Sequence, residues 1–224
     1  MEDKEIAAIE ALKYVENNQI IGLGTGSTAN YFIKHLGEKV FHEKLNIKVV
    51  ASSTISEIEA SMKKLQLTSM DIIDSVDLYV DGADEITESL SILKGRGYDL
   101  VKEKLLAFSA KKFIVISDAS KLVKRIGDNF KIPIEVYKDY WKLAKKNLDK
   151  FGEGNLRLNA KGDAFAISSA GNYIMDYSFA YNDIKDIQNK ILSTAGVIEC
   201  GIFYNLCTKA IISENGKINS LDLS

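Results

Sequence analysis

The chain has 224 residues, 46% hydrophobic and 27% charged, and its 29 basic and 31 acidic side chains leave a formal net charge of −2. That balance belongs to a folded globular protein and excludes a disordered chain, a collagen-like fibre and a coiled-coil rod. A near-neutral, slightly acidic surface has no global field for nucleic acid or an anionic membrane, so any anion must be held by local geometry.

In chain order, Ile6, Ile9, Leu12 and Val15 recur at helical spacing and predict a helix over 3–17. A short apolar run at 19–23, closing on Gly22 and Gly24, reads as a buried strand. Helical spacing returns at 27–44 through Ala29, Phe32, Ile33 and Leu36. A strand at 46–51, a helix at 53–65, a strand at 77–80, a helix at 98–108 and a strand at 113–117 follow. Alternating strands and helices predict an α/β fold, a Rossmann-like, mostly parallel sheet covered on both faces. After about residue 130 the rhythm changes. A strand at 132–136, a helix at 138–150, paired strands at 156–158 and 164–168, a strand at 172–177, a helix at 183–192 and a strand at 197–203 give β-α-β-β-α-β, give or take one hairpin. This is the order of a smaller ferredoxin-like α+β domain. A hairpin at 206–213 and 217–223, turning on Glu214-Asn215-Gly216, is expected to return to the first domain as a sheet edge. The expected division is 1–129 plus 205–224 against 130–204.

Cys200 and Cys207 form no CxxC pair and read as reduced thiols of a cytoplasmic protein. The acidic start MEDKEIAAIE has no secretory apolar segment, and no apolar run approaches the roughly 20 residues of a membrane span, so no membrane partner is expected.

Three segments carry candidate chemistry. The turn Gly24-Thr25-Gly26-Ser27-Thr28-Ala29 lies between a strand and a helix, where backbone N–H groups and the helix dipole favour an anion. Ser27 or Thr28 is the expected helix cap, and the hydroxyls at 25, 27 and 28 are further donors. The turn also matches GxGxxA, but a nicotinamide nucleotide expects an acidic residue after the second strand. Here that strand runs into Ser52-Ser53, which leaves only the extra phosphate of NADP as a partner for them. Asp81-Gly82-Ala83-Asp84-Glu85 follows a strand at the sheet's ligand-binding edge. Its carboxylates suit either magnesium or sugar hydroxyls. Lys94-Gly95-Arg96-Gly97 is a loop that can close around a ligand, with Lys94 a point charge for an oxyanion. On the helix beyond it, Glu103 falls between Leu106 and Ala107 on the wheel, and partial burial there would suit a general base. The only histidines, His35 and His42, accompany no metal or nucleophile motif.

Together, GLGTGSTA at 22–29, YVDGADEI at 79–86, LKGRG and VKEKLLA within 93–107, and SDASKLV at 117–123 resemble the ribose-5-phosphate isomerase A family, in order and spacing. The resemblance implies a Rossmann-like first domain and interconversion of D-ribose 5-phosphate and D-ribulose 5-phosphate in the pentose phosphate pathway. It implies a phosphate held by Thr25, Gly26, Ser27 and Thr28, with Lys121 and Lys4 nearby. Asp81 and Asp84 would contact the sugar hydroxyls, across Gly82 and Ala83, and assist ring opening. Lys94 would stabilise the oxyanion within Gly95-Arg96-Gly97, and Glu103 would accept the proton. No metal or nicotinamide is implied, and a homodimer or homotetramer is. The family usually has glycine at position 96, where arginine in a left-handed conformation would be strained. A sugar-phosphate deaminase or coenzyme A transferase on a similar scaffold, and a phosphosugar-sensing regulatory domain, are the other readings.

Overall fold

A computed structural model describes residues 1–223. Its elements are α1 (Asp3–Ala11), β1 (Ile20–Leu23), α2 (Ser27–Glu43), β2 (Lys48–Ala51), α3 (Thr54–Met62), β3 (Leu78–Asp81), β4 (Glu85–Ile86), β5 (Ile92–Leu93), α4 (Leu100–Ser109) and β6 (Phe113–Asp118). These are followed by β7 (Ile132–Val136), α5 (Trp141–Leu148), β8 (Gly152–Leu156), β9 (Tyr173–Phe179), α6 (Ile184–Leu192), β10 (Val197–Cys200), β11 (Ile202–Phe203), β12 (Lys209–Glu214) and β13 (Lys217–Asp222). Two compact units result: Met1–Ala83, Lys102–Leu122 and Asn205–Ser224 form the first, and Asp84–Val101 and Val123–Tyr204 the second. Segments 84–101 and 123–129 therefore pack within the second unit.

The first unit is built on a six-stranded sheet in the order β13-β12-β6-β3-β1-β2, parallel except for β13. Its inner strands β1, β3 and β6 are near-continuous apolar runs because both faces are covered. Ile21, Leu23, Val80 and Ile114 on the strands pack with Ala8 of α1 and Phe32 and Leu36 of α2. The expected 3–17 helix stops at Ala11 and tightens into a 3-10 turn, because the chain must reverse through left-handed Asn18 to enter β1. Similarly, α3 is cut short at left-handed Lys64, while Ser53 caps its start by accepting the Ser56 N–H. The late hairpin does return to this sheet, β12 pairing with β6 and β13 forming the edge. Its turn is fastened to α1: Asp3 accepts the Ser213 hydroxyl at 2.6 Å and the N–H groups of Asn215 and Gly216 at 3.0 and 2.9 Å.

The second unit contains the four-stranded antiparallel sheet β10-β7-β9-β8, the ferredoxin-like arrangement. Ala144 and Leu148 of α5 and Ile187 and Ile191 of α6 pack with Ile134, Met175 and Tyr177 of the sheet. The strand expected at 164–168 is absent as a ladder; that segment makes only isolated bridges, Leu158 to Phe165 and Ile167 to Tyr173. The second strand of the motif is instead β8, hidden in the sequence by Gly152 and Gly154. A Cβ at Gly152 would lie 2.3 Å from the Phe179 ring, and one at Gly154 2.3 Å from the Asp176 carbonyl oxygen. The single strand expected at 197–203 breaks at Gly201 into β10 and β11, which join different sheets. β11 belongs to a three-stranded sheet with β5 and β4, whose two-residue strands leave no period to read. Among the described residues, no helix is long and apolar enough to cross a membrane.

Candidate active site

In the first unit, the turn after β1 leaves the sheet beside the ends of β2 and β3. Gly22 of β1 and the turn's Gly24 and Gly26 answer two different demands. A Cβ on Gly22 would lie 2.8 Å from the Tyr79 ring, and one on Gly24 only 2.1 Å from Cγ and Oδ1 of Asp81. Gly26 faces open space but adopts φ +105°, where a side chain is strained. Gly22 and Gly24 thus make room for Tyr79 and Asp81, two residues of β3.

Asp81 is fully buried. Its Oδ1 accepts the N–H of Thr25 at 3.0 Å and that of Gly82 at 2.7 Å, and its Oδ2 accepts the Tyr79 hydroxyl. Tyr79 is itself fully buried and stacks on Phe113, ring centroids 4.7 Å apart. Burial first, then the charges of Asp81 and Glu103, push its hydroxyl well above the ordinary tyrosine value, so it remains a donor. Glu103 is therefore near enough to Tyr79 for its charge to be felt, and it is 5% exposed on α4. Lys104 is also buried, whereas Leu105 and Phe108 of the same helix face outward. Leu100, Leu106 and Ala107 are buried with Glu103 and Lys104, so the helix takes an acid and a lysine into its apolar face while leaving two large apolar residues outside, a departure from the usual pattern.

Thr25 has a structural task. Its hydroxyl lies 2.9, 2.7 and 3.0 Å from those of Ser52, Ser53 and Ser56, and Ser56 donates to the Gly24 carbonyl at 2.5 Å. Ser52 and Ser53 are buried in this cluster rather than presented to a nucleotide phosphate. The Thr25 N–H and hydroxyl serve the scaffold. Neither Ser27 nor Thr28 caps α2: the N-cap is Gly26, which has no side chain to do so. Lys4 of α1 reaches this turn, its Nζ 3.5 Å from the Ser27 hydroxyl and 4.0 Å from Asp118. Lys121 ends the short 3-10 turn after β6, a turn started by Asp118 accepting the Ser120 N–H at 2.8 Å. Gly82 and Ala83 carry the chain on from Asp81, and Gly82 lies against the Thr28 side chain. His35 sits between Glu5 and Glu38, bonded to both.

In the second unit, Asp84 accepts the Arg96 N–H at 3.3 Å while its own N–H donates to the Leu93 carbonyl at 2.9 Å. The Lys94 side chain is buried, and its backbone N–H donates to Gly201 at 2.9 Å. Gly95 is held at φ +92°, with Leu100 2.8 Å from where a Cβ would be. Arg96 lies outside the left-handed region, so the anticipated strain is absent, and its guanidinium stacks 3.8 Å above the Phe130 ring. The third carboxylate of the acidic segment, Glu85, is structural. It accepts the N–H groups of Gly127, Asn129 and Phe130 at 2.6, 2.6 and 2.9 Å and shapes that loop.

Sequence reasoning missed Tyr79, Ser56, Glu85 as a loop organiser, and Arg157, which grips the carbonyls of Gly95, Arg96 and Gly97. Tyr79 had a readable signal, a hydroxyl in an otherwise apolar strand. Arg157, some 60 residues from its partners, had none. Among the described residues no group of three or more His, Cys, Asp or Glu side chains is arranged to hold a metal ion.

A sequence profile of the ribose 5-phosphate isomerase A (phosphoriboisomerase A) family matches residues 48–217. Ribose-5-phosphate isomerase A 2 of Oceanobacillus iheyensis is 37% identical over 222 residues, covering 98% of this chain and 98% of that protein. The solved structure of ribose 5-phosphate isomerase A from Methanocaldococcus jannaschii superposes with a TM-score of 0.94 at 33% identity, over 98% of this chain and 97% of that one. A D-ribose-5-phosphate isomerase in complex with phospho-erythronic acid superposes with a TM-score of 0.93 at 37% identity, over 98% and 97% of the two chains.

Proposed function

The chain belongs to the ribose 5-phosphate isomerase A family, and on that premise we propose how its residues divide the work. It is an aldose–ketose isomerase that interconverts D-ribose 5-phosphate and D-ribulose 5-phosphate in the pentose phosphate pathway. The phosphate binds at the start of α2, where Gly26, Ser27 and Thr28 present backbone N–H groups to an anion. Lys4 adds positive charge beside Ser27, and Lys121 does so from the end of β6. Asp81 and Asp84 bind sugar hydroxyls and assist opening of the furanose.

Glu103 then takes the proton from C2 of the open-chain aldose and returns it to C1, while the hydroxyl proton on O2 passes to O1. The intermediate is an enediolate. Lys94 supplies the fixed positive charge that stabilises its oxyanion, as preorganised donors do in other enzymes. The observation that carries this reading is Glu103: an acid 5% exposed, sharing its electrostatic surroundings with Tyr79 and Asp81. A glutamate can both accept and release a proton, as this transfer requires. No metal or nicotinamide takes part.

Replacing Glu103 by Gln keeps size but removes the proton acceptor. Glu103→Gln is expected to lower kcat by at least about 100-fold, with KM little changed and exchange of the C2 proton with solvent deuterium abolished. Near-normal turnover would move the role of base to Asp81 or Asp84.

The same reading includes self-association as a homodimer or homotetramer. Ile55, Ile58 and Met62 on α3 and Leu105 and Phe108 on α4 are exposed apolar residues that a partner copy would cover. A monomer in analytical ultracentrifugation at micromolar concentration would refute this. A cytoplasmic location belongs to the reading as well, and cell fractionation tests it.

A further inference from the structure

The loop that carries Lys94 is gripped by one distant side chain. Arg157 follows β8, and its side chain is 13% exposed. Its Nη1 donates to the carbonyl oxygens of Gly95, Arg96 and Gly97 at 2.9, 3.2 and 3.1 Å. Its Nε and Nη2 take both oxygens of Asp176 on β9, at 2.8 and 2.5 Å. Three successive carbonyls aimed at one point repel one another unless a cation occupies that point. Only the planar guanidinium can bridge them while paired two-fold with a carboxylate. Because the amide of Lys94 is fixed on Gly201 and that of Arg96 on Asp84, Arg157 completes the restraint of this turn.

We infer that Arg157 is a positioning residue for the isomerisation, held by Asp176, which sets the backbone from which Lys94 reaches its substrate. This rests on the reading of Lys94 as the oxyanion-stabilising group and adds the means by which Lys94 is held in place. A displacement of about 1 Å in a reacting group costs on the order of 100-fold in rate, so a loop freed of its clamp loses turnover without losing its lysine. The guanidinium also borders a cavity of about 500 Å³ lined by Arg96, Tyr98, Phe130, Lys131 and Leu158. A small cation can therefore enter from solvent when the side chain is removed.

The test is a double-mutant cycle on the full chain with Arg157→Ala and Lys94→Ala. Arg157→Ala is expected to lower kcat about 10- to 100-fold with a much smaller change in KM. Added guanidinium, far below unfolding concentrations, is expected to restore much of that loss, and sodium chloride of equal ionic strength is not. In the Lys94→Ala background the Arg157 substitution is expected to cost almost nothing more, because residues acting through one another are not additive. Normal kcat in folded Arg157→Ala, or the same fractional loss with and without Lys94, overturns the inference. Full turnover in Lys94→Ala alone instead overturns the reading of Lys94, and the inference with it. If Arg157→Ala does not fold, Arg157→Lys decides: it keeps the charge without the fork, and normal kcat there also overturns the inference.

Discussion

A methyl group added at Gly24 meets the least forgiving contact of the candidate site. An ideal Cβ there lies 2.1 Å from Cγ and Oδ1 of Asp81 and 2.5 Å from its Cα. Non-bonded carbon contacts settle at about 3.5–4.0 Å, so Asp81 or the β1–β3 spacing must move by more than about an ångström. The neighbours include backbone, so no rotamer change relieves the clash. Asp81 then loses at least two of its three bonds from Thr25, Gly82 and Tyr79 in a fully buried setting. Two such bonds to a charged group, at about 1.5–3 kcal/mol each, plus about 1–3 kcal/mol of overpacking, give about 4–9 kcal/mol. That is comparable with the entire stability of a typical domain. Gly26→Ala meets no atom within 4 Å and faces only the backbone cost of φ +105°, ψ 177°, about 1–3 kcal/mol. Gly97→Ala meets neither obstacle and is expected to raise stability by about 0.4–1 kcal/mol through the unfolded chain. Urea unfolding followed by circular dichroism, compared at a shared slope, ranks the three. A Gly24→Ala protein within about 1 kcal/mol of wild type, or more stable than Gly26→Ala, would refute the steric account of this turn.

Two further outcomes are expected. Asp77 accepts the Ile20 N–H and pairs with Lys111, both at 2.8 Å, and the Lys111 bond first, then Ile20, hold its carboxyl below the ordinary 3.8. A lowered folded value means its stabilisation is complete above the unfolded pKa and disappears as pH falls through the folded one. Asp77→Asn should therefore cost less than about 1 kcal/mol at neutral pH, with the difference vanishing in acid; a difference that widened below pH 4 would contradict this. Cys200 and Cys207 are both buried and outside any disulfide, and burial pushes the Cys207 thiol up to about 12. Neither should react with a thiol reagent in native protein and both should react in denaturant; rapid native modification would contradict the packing.

The α/β rhythm was legible wherever a strand is buried on both faces, because runs such as 113–117 leave no other assignment. It failed at β8, where glycines make way for Tyr177 and Phe179 and erase the alternation. It also failed at β4, β5 and β11, which are too short for a period and are defined by partners distant in sequence. Within the candidate site, the turn at 24–28 and the acidic segment at 81–85 could be picked out by residue type. The division of labour inside them could not. Thr25 is a scaffold because three serines surround its hydroxyl, and Glu85 is one because three amides converge on it. The inward turn of Glu103 was open on a helical wheel, since only tertiary packing decides that Leu105 faces out.

The fastening of α1 to the late hairpin also fixes a timetable for biosynthesis. β12 is an interior strand, and Asp3 meets its partners at 213, 215 and 216, so the large sheet cannot close until those residues have left the ribosome. Everything in the second unit precedes residue 205. At about 5–20 residues per second, the nascent chain waits about 5–20 seconds with β6 lacking one neighbour and its backbone groups open to wrong pairing. Its long-range closure also makes the final step slow relative to local structure. The hazard for this protein is thus greatest during synthesis, and a chaperone that shields an unfinished strand edge would act on the first unit while the second is already complete.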